Sequence, residues 1–421
     1  MLKLRMCVLL FAVMVLTVFA LTIGQSIFAA DKVGLQVMTQ RVEDKAYYDL
    51  INAKFEKENP AIHVNYDAVP TKDYEQVITA RLAINAVDTL ASPPQIADPD
   101  KRRALFLDLT GQPFVKYVFA DAVKAAIYPG DNGALYGIPM NSVSIVVFYN
   151  KKIFHDLNIA IPKTFYQFIS ACKKIKAKGI DPLIFGGKDQ WPVNMIVIGM
   201  EAPLVSAVDT NWYAKLKTGE VKVTDRGTWL EVFKRLNTMK DYYNPGCLGL
   251  GYGQAPGMFA QGKAAMMLDG SWSAADIEKA KPDFEVGAFL MPASDKMINN
   301  KVAAVRPGFY WSIVKNSPNK QAALKYTEFL LRPDNYQIYT DMVKMLPMEK
   351  GIKMEDPLAN EIAGLLSRQV DFFENKVLVL IPGIKFNYTP YALEIFAGMI
   401  SPEQAAAKVQ AEIDSSKPNW K

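Results

Sequence analysis

Hydrophobic and polar positions along this chain follow two periods in turn, and the switching between them sets the first expectation about its fold. Val33 to Thr39 reads as a strand. Tyr47, Leu50, Ile51 and Phe55 then recur at helical spacing until Asn59-Pro60 stops the helix. Ile62 to Tyr66 alternates as a second strand, and Tyr74 to Asn85 returns to the helical period. This β-α-β-α order predicts a mainly parallel sheet covered by helices. The most informative stretch is 133–154, which joins a Gly/Pro turn, a polar patch (Asn141, Ser142, Ser144), an apolar strand from Ile145 to Tyr149 and a helix start. It reads as a strand passing between two lobes, with a ligand-sized polar patch at its entrance.

The alternation resumes downstream. A helix is expected from Thr164 to Lys178, ended by Gly179, and another from Trp191-Pro192, where proline suits the first turn. Asp225 is expected to cap a third, with Trp229, Val232, Phe233 and Leu236 on one face and Asn244-Pro245-Gly246 as its stop. Ala264 to Leu268 is a short apolar strand, after which Ser271 is expected to cap the helix carrying Trp272. From Val302 the pattern gives strand, a break at Arg306-Pro307-Gly308, and strand again from Phe309 to Val314. Helices at Pro318–Leu331 and Pro333–Val343 follow, and the tail from Asp356 is mostly helical. No loop is rich enough in Pro, Gly or Ser to cut the chain, so its domains are expected to be interleaved.

The N-terminus changes the picture of where the protein works. Lys3 and Arg5 precede an apolar run from Met6 to Ile23, and small residues near Ala29 and Ala30 lead to Asp31, which is the order of a secretory signal. The run is long enough to span a bilayer as an anchor, but Gly24, Gln25 and Ser26 favour a signal cleaved near residue 30. Cys7 lies too early to be a lipid-modified cysteine, so a freely soluble periplasmic or extracellular protein is expected. About 390 residues would remain, room for two or three domains.

Lys and Arg number 48 against 43 Asp and Glu, too small a bias to point to nucleic acid. Cys172 and Cys247 offer one possible pair at most, which is no disulfide framework.

Candidate chemistry is selective. His63 and His155 are the only histidines, and neither has a ligand-spaced Cys, Asp or Glu, so no metal or cofactor is expected. No nucleophile elbow, zinc helix or P-loop is present, and Gly249-Leu-Gly251-Tyr-Gly253 lacks the flanking strand and helix of a dinucleotide site and reads as a flexible loop. Glu43, Glu201 and Asp269 are possible members of a glycosidase carboxylate pair. Tyr242-Tyr243 is a pairing that can hold ferric iron, or simply a helix end burying one ring.

The more coherent set combines aromatic and planar polar side chains at expected strand and helix ends: Gln40, Arg41 and Glu43 after the first strand, Asn141 after Gly-Ile-Pro, Trp191 at a helix start, Asp269 and Trp272 in Asp-Gly-Ser-Trp, and Arg306, Gly308 and Tyr310 in the broken strand. Sugars present an apolar C–H face and a rim of hydroxyls, so their sites need flat rings and groups that both donate and accept. Trp229 and Trp311 lie on apolar faces and are expected in the core.

Four segments together resemble one family: G-A-L-Y-G-I-P-M-N with V-V-F-Y-N-K-K-I-F (133–154), I-P-K-T-F-Y-Q-F (161–168), F-A-Q-G-K-A-A-M-M-L-D-G-S-W (259–272) and W-S-I-V-K-N-S-P-N-K-Q-A-A-L-K-Y-T-E-F-L (311–330). The chain is similar to the extracellular solute-binding proteins of carbohydrate ABC importers, the maltose-binding-protein-like group. The resemblance implies a two-lobed periplasmic-binding-protein fold, each lobe a mainly parallel sheet flanked by helices, with hinge crossovers and a central cleft. It places the first lobe at 31–140 plus about 306–345 and the second at 141–305 plus about 346–421. It implies a monomeric, non-enzymatic receptor that delivers a sugar to membrane permease subunits, with Gln40, Arg41, Asn141, Trp191, Trp272 and the Gly308 to Tyr310 stretch at the cleft. The competing expectations are a secreted carbohydrate-active enzyme using paired carboxylates, and an iron or anion receptor. One segment departs from the family pattern: 92–109 is shorter than that pattern, with Gln95 in place of an expected Asp, so the first lobe is expected to lack a strand-helix element and one ligand contact.

Overall fold

The computed structural model describes residues 32–420 apart from Pro94, Gln95, Ala97 and Pro129. The signal, Cys7 and Gln95 therefore lie outside the described residues. Among those described, no helix is long and apolar enough to cross a membrane.

Twelve strands are described: β1 (Val33–Thr39), β2 (Ile62–Ala68), β3 (Thr89–Ala91), β4 (Ile138–Pro139), β5 (Asn141–Asn150), β6 (Asp181–Ile184), β7 (Ala264–Gly270), β8 (Val286–Phe289), β9 (Ala303–Pro307), β10 (Tyr310–Ile313), β11 (Leu346–Pro347) and β12 (Gln369–Asp371). They form two sheets. In the first, ordered β2-β1-β3-β10-β4, the β1 pairings to β2 and β3 are parallel and β10 runs antiparallel to both β3 and β4. The second is ordered β12-β9-β5-β7-β6, with β8 and β11 also pairing β5. Every residue of β5 is buried, as expected of a strand with neighbours along its whole length. Its first residues pair β9 and β11, and Ile145 to Asn150 pair β7 and β8.

The chain crosses between the sheets at 139–141, 307–310 and 343–346, so each lobe is assembled from separated segments. The helix Pro333–Val343 returns to the first lobe, where Lys54 of the helix Lys45–Glu58 bonds Asp334 at 3.0 Å and Asn335 at 2.5 Å. The crossovers pack tightly. A Cβ on Gly308 would lie 2.0 Å from Asn141 Oδ1 and 2.7 Å from Val143 Cγ1, so only glycine fits where the two connections pass. Gly308→Ala is expected to cost about 1–3 kcal/mol through overpacking, read as a lower urea midpoint; an unchanged midpoint would show that the crossovers yield freely.

Several boundaries differ from the periodicity. Leu50 is 50% exposed, because it sits about 100° round the helix from Ile51 while Tyr47, Tyr48, Ile51 and Phe55 carry the buried face. Asp225 does not cap the helix Trp229–Met239; its carboxylate accepts the Lys222 N–H at 2.7 Å, closing the preceding turn. Ser271 is not a cap either, since its hydroxyl accepts the Ser144 N–H at 3.2 Å and ties the end of β7 to β5. The helix expected from Pro318 begins at Lys320. The strand-helix element expected to be missing from the first lobe is present in short form: β3 is followed by the helix Pro99–Leu105, whose N-terminal N–H groups bond Asp98.

Candidate functional site

The second lobe gathers three half-buried aromatic rings from separate segments. Gln190 takes a left-handed backbone (φ 63°) immediately before Trp191, which stands at the start of the helix Pro192–Glu201. The Asp189 carboxylate accepts the Tyr252 N–H at 2.8 Å, drawing the 247–254 loop against this turn. The Trp191 and Tyr252 ring centroids are 4.3 Å apart and tilted by 57°. Trp272 Nε1 donates to the Tyr252 hydroxyl at 2.5 Å. The Trp272 ring folds back over Gly270, where a Cβ would sit 2.2 Å from the indole.

Behind this platform lies a carboxylate. The Tyr252 hydroxyl is 3.3 Å from Ser273 Oγ, and Ser273 Oγ donates to Asp269 Oδ2 at 2.8 Å. Asp269 Oδ1 accepts the Gly270 N–H at 2.8 Å. Asp269 is only 4% exposed, and burial pushes its carboxyl up to about 6 against the pull of these hydrogen bonds.

The first lobe contributes a charged corner just after β1, with Gln40 half-buried beside it. Arg41 spends its guanidinium fork on its own neighbours: Nε and Nη2 reach Asp44 at 2.6 and 3.0 Å, and Nη1 reaches Glu43 at 3.1 Å. Burial opposes the Arg41 charge, but Asp44 and Glu43 overcome it and hold the guanidinium above its ordinary range. The Asp276 carboxyl is raised by burial and by Asp44, while Arg41 and Lys279 pull the other way. Asp276 belongs to the helix Ser273–Lys279, which begins immediately after Trp272. Asp276 therefore lies near enough to Arg41 and Asp44 to feel their charge, which brings the helix after Trp272 towards the corner after β1. Glu43 feels the same crowding: burial, Asp44 and Asp276 raise it and Arg41 lowers it.

The remaining candidates sit at the crossovers. Asn141 is 0% exposed; its amide donates to the Tyr339 hydroxyl at 2.5 Å and contacts Met345 Sδ at 2.7 Å. It is packed into the hinge with no exposed surface, and Gly308 lies against it. Arg306 lies with its guanidinium 4.9 Å from the Phe372 ring centre, and its Nε has no hydrogen-bond acceptor among the described residues. Tyr310, half-buried, faces Tyr128 at 6.4 Å, and burial and that neighbour push its phenol up. The structure thus links Trp191, Asp269 and Trp272 through Tyr252 and Ser273, keeps Arg41 with Glu43 in a separate charged corner after Gln40, and leaves Arg306 and Tyr310 near the second crossover.

Sequence reasoning missed Tyr252, whose loop was expected to be merely flexible. The loop is instead pinned by Asp189 and forms short 3-10 turns at Cys247–Gly249 and Tyr252–Gln254. An aromatic residue alternating with three glycines was the available signal. The alternative chemistries find other homes. Glu201 is buried and accepts from Ser206 and Tyr213 at 2.8 and 2.7 Å. Tyr243 is buried against Phe185 and Phe396 while Tyr242 is half-buried. Cys172 and Cys247 are free thiols. No group of three or more metal-type ligands occurs among the described residues. A separate cavity of about 450 Å³ opens between Glu278, Thr340, Lys344 and Asp356. Its lining is charged and carries no aromatic ring, so it lacks the flat apolar face that the 191–252–272 group offers.

Comparison with known proteins adds three findings. The family described as "Bacterial extracellular solute-binding protein" matches residues 39–337. Among curated relatives, the "Multiple sugar-binding protein" of Streptococcus mutans is 27% identical over 333 residues, covering 77% of each chain, and the "Melibiose/raffinose/stachyose-binding protein MelE" of Bacillus subtilis is 23% identical, covering 86% of this chain and 84% of that one. Among solved structures, the solute-binding protein RafE in complex with raffinose superposes with a TM-score of 0.78 at 22% identity, covering 92% of this chain and all of that one. A chitin oligosaccharide binding protein superposes with a TM-score of 0.77 at 23% identity over the same share of this chain. At these identities the structural likeness speaks for the two-lobed fold.

Proposed function

The chain belongs to the bacterial extracellular solute-binding proteins, and from that membership we propose that it is an exported receptor that captures a sugar or oligosaccharide between its lobes and delivers it to the permease of an ABC importer. The family and its structural neighbours are binding proteins rather than enzymes, and this chain is proposed to act in the same way. The observation that carries the reading is the linked, half-buried Trp191–Tyr252–Trp272 group, which is proposed to face the corner after β1 when a ligand is bound. Aromatic faces present the C–H side of a pyranose with a stacking surface, and Gln40, Arg306 and Tyr310 supply donors and acceptors at its rim. Asp269, Asn141 and Gly308 act from behind, as supports of ring and hinge, and Glu43 with Asp44 holds Arg41 in place. Lobes assigned at 31–140 with 306–345, and 141–305 with 346–421, would close by bending at the crossovers, with ligand stabilising the closed form. The protein is proposed to work as a monomer outside the cytoplasmic membrane.

Isothermal calorimetry and thermal shift against a panel of mono-, di- and oligosaccharides test this. A ligand at a hundredfold excess over its Kd stabilises the fold by about 2.7 kcal/mol, so a binder should raise the melting temperature by several degrees. A folded protein that no sugar stabilises would count against the reading, whereas release of reducing ends from an oligosaccharide would replace it with an enzymatic one.

A further inference from the structure

We propose that Asp269 is a positioning residue for the sugar platform: through Ser273 and Tyr252 it fixes the orientation of Trp272, making the platform one hydrogen-bonded unit instead of three independently packed rings. The inference rests on the sugar-receptor reading. It draws on the direction of each hydrogen bond along the chain of contacts. Trp272 Nε1 can only donate, and its partner is the Tyr252 hydroxyl. That hydroxyl, having accepted from the indole, can donate to Ser273 Oγ, which in turn donates to the Asp269 carboxylate. The run ends on a charge with no proton to give, so each hydroxyl is polarised in the same sense, and such chains strengthen cooperatively at low dielectric. The Gly270 N–H holds the other carboxylate oxygen, and Gly270 leaves the space into which the indole folds. Trp191 joins through its 4.3 Å contact with Tyr252, so one tether sets the angle between both indoles.

The arrangement makes platform geometry respond to acid. The titratable groups that face Asp269 are Tyr252 from the 247–254 loop and Asp276 from the helix after Trp272, with Arg41 beyond Asp276 across the gap. β5 sets Val146 opposite it, and the helix Ala255–Ala260 packed on β7 carries no charge. With burial holding the Asp269 carboxyl at about 6, the ionised form that anchors the relay prevails above that pH. Below it the carboxyl gains a proton, becomes a donor itself and no longer fixes the sense of the chain.

The test uses the whole exported protein without ligand first. Trp272 emission, isolated as the difference from Trp272→Phe, is expected to titrate with a midpoint near pH 6, and to stop doing so in Asp269→Asn, Ser273→Ala and Tyr252→Phe, with Ser273→Thr restoring it. Far-UV circular dichroism and melting temperature identify any variant that fails to fold, and Ser273→Ala is the mild change that keeps the test open. Affinity for a sugar found in the panel should then fall about tenfold in Tyr252→Phe, the value of one lost hydrogen bond, and by a similar factor in the wild type between pH 7.5 and 5. A Trp272 signal that is flat with pH, or that titrates identically in Ser273→Ala and Tyr252→Phe, overturns the proposal. Absence of any sugar ligand would instead defeat the receptor reading and leave the ligand-free titration to judge the relay by itself.

Discussion

Truncating Trp272 to alanine is expected to weaken sugar binding by roughly thirty- to a thousandfold, matching the 2–4 kcal/mol typical of a central aromatic anchor. The magnitude follows from what the indole does in the structure. Its ring is folded onto Gly270 with its Nε1 tied to Tyr252, so it is rigid before a ligand arrives and loses little freedom on binding. It is only partly covered by protein, so its exposed part is available for the apolar face of a pyranose. Removing it also frees the Tyr252 hydroxyl and loosens the ring against which Trp191 packs. Calorimetry measures the change. Trp229→Ala is the informative contrast: Trp229 is fully buried among Phe233, Phe373, Phe386 and Tyr388, so its loss should cost stability, about 3–5 kcal/mol, while affinity of the folded fraction stays near wild type. A Trp272→Ala protein binding within threefold of wild type would remove this residue from the site.

How far this arrangement was legible beforehand depends on which interactions make it. β5 and β7, buried at every position, are readable from near-continuous apolar runs, and β2 from its alternation, which turns Ile62 and Val64 inward and His63 and Asn65 outward. The broken strand at Arg306-Pro307-Gly308 was visible for a similar reason, since proline and glycine leave few conformations open. Caps were less readable: Asp225 and Ser271 are good capping residues in isolation, yet a turn ahead of one helix and a tie to β5 claim them instead. Within the site, Trp191 and Trp272 stood out as aromatics at turn positions. Asn141 also stood out, but sequence cannot tell a polar residue facing a cleft from one bonded inside a hinge to Tyr339, almost two hundred positions away. Tyr252 escaped because its importance is wholly tertiary. It is the acceptor for Trp272, the neighbour of Trp191 and a link to Ser273, and the Gly-Leu-Gly-Tyr-Gly run that marks the ring says nothing of those partners.

Replacing Glu349 with methionine is expected to stabilise the protein by about 5 kcal/mol more at pH 8 than near pH 4.5. Glu349 follows β11 at the third crossover, wedged against the first lobe where Phe119 N–H bonds Met348 and Lys350 N–H bonds Tyr117, each at 2.9 Å. The residue is 1% exposed, and neither carboxylate oxygen finds a hydrogen-bond donor among the described residues. Burial alone pushes its carboxyl up to about 9. The sign follows from linkage. Below the ordinary glutamate range the group is protonated in both folded and unfolded chains and exerts no pH-dependent penalty. Between about 4.5 and 9 the unfolded chain ionises while the folded one stays neutral, so this group makes stability fall with rising pH by about 1.4 kcal/mol per unit. Above 9 both forms are ionised and the loss levels off. Methionine has similar length and no charge to desolvate, so it removes that slope, whereas glutamine would bury two unsatisfied N–H groups and recover only part of the gain. Urea denaturation of both proteins at pH 5 and pH 8 reads the difference directly. A stability gap that is the same at the two pH values would mean that the carboxylate is ionised and paired in solution. Since Glu349 lies beside the crossover and away from the tryptophan platform, sugar affinity at neutral pH should be retained. A parallel loss of affinity would show instead that the strain of this buried acid helps to set the balance between open and closed lobes.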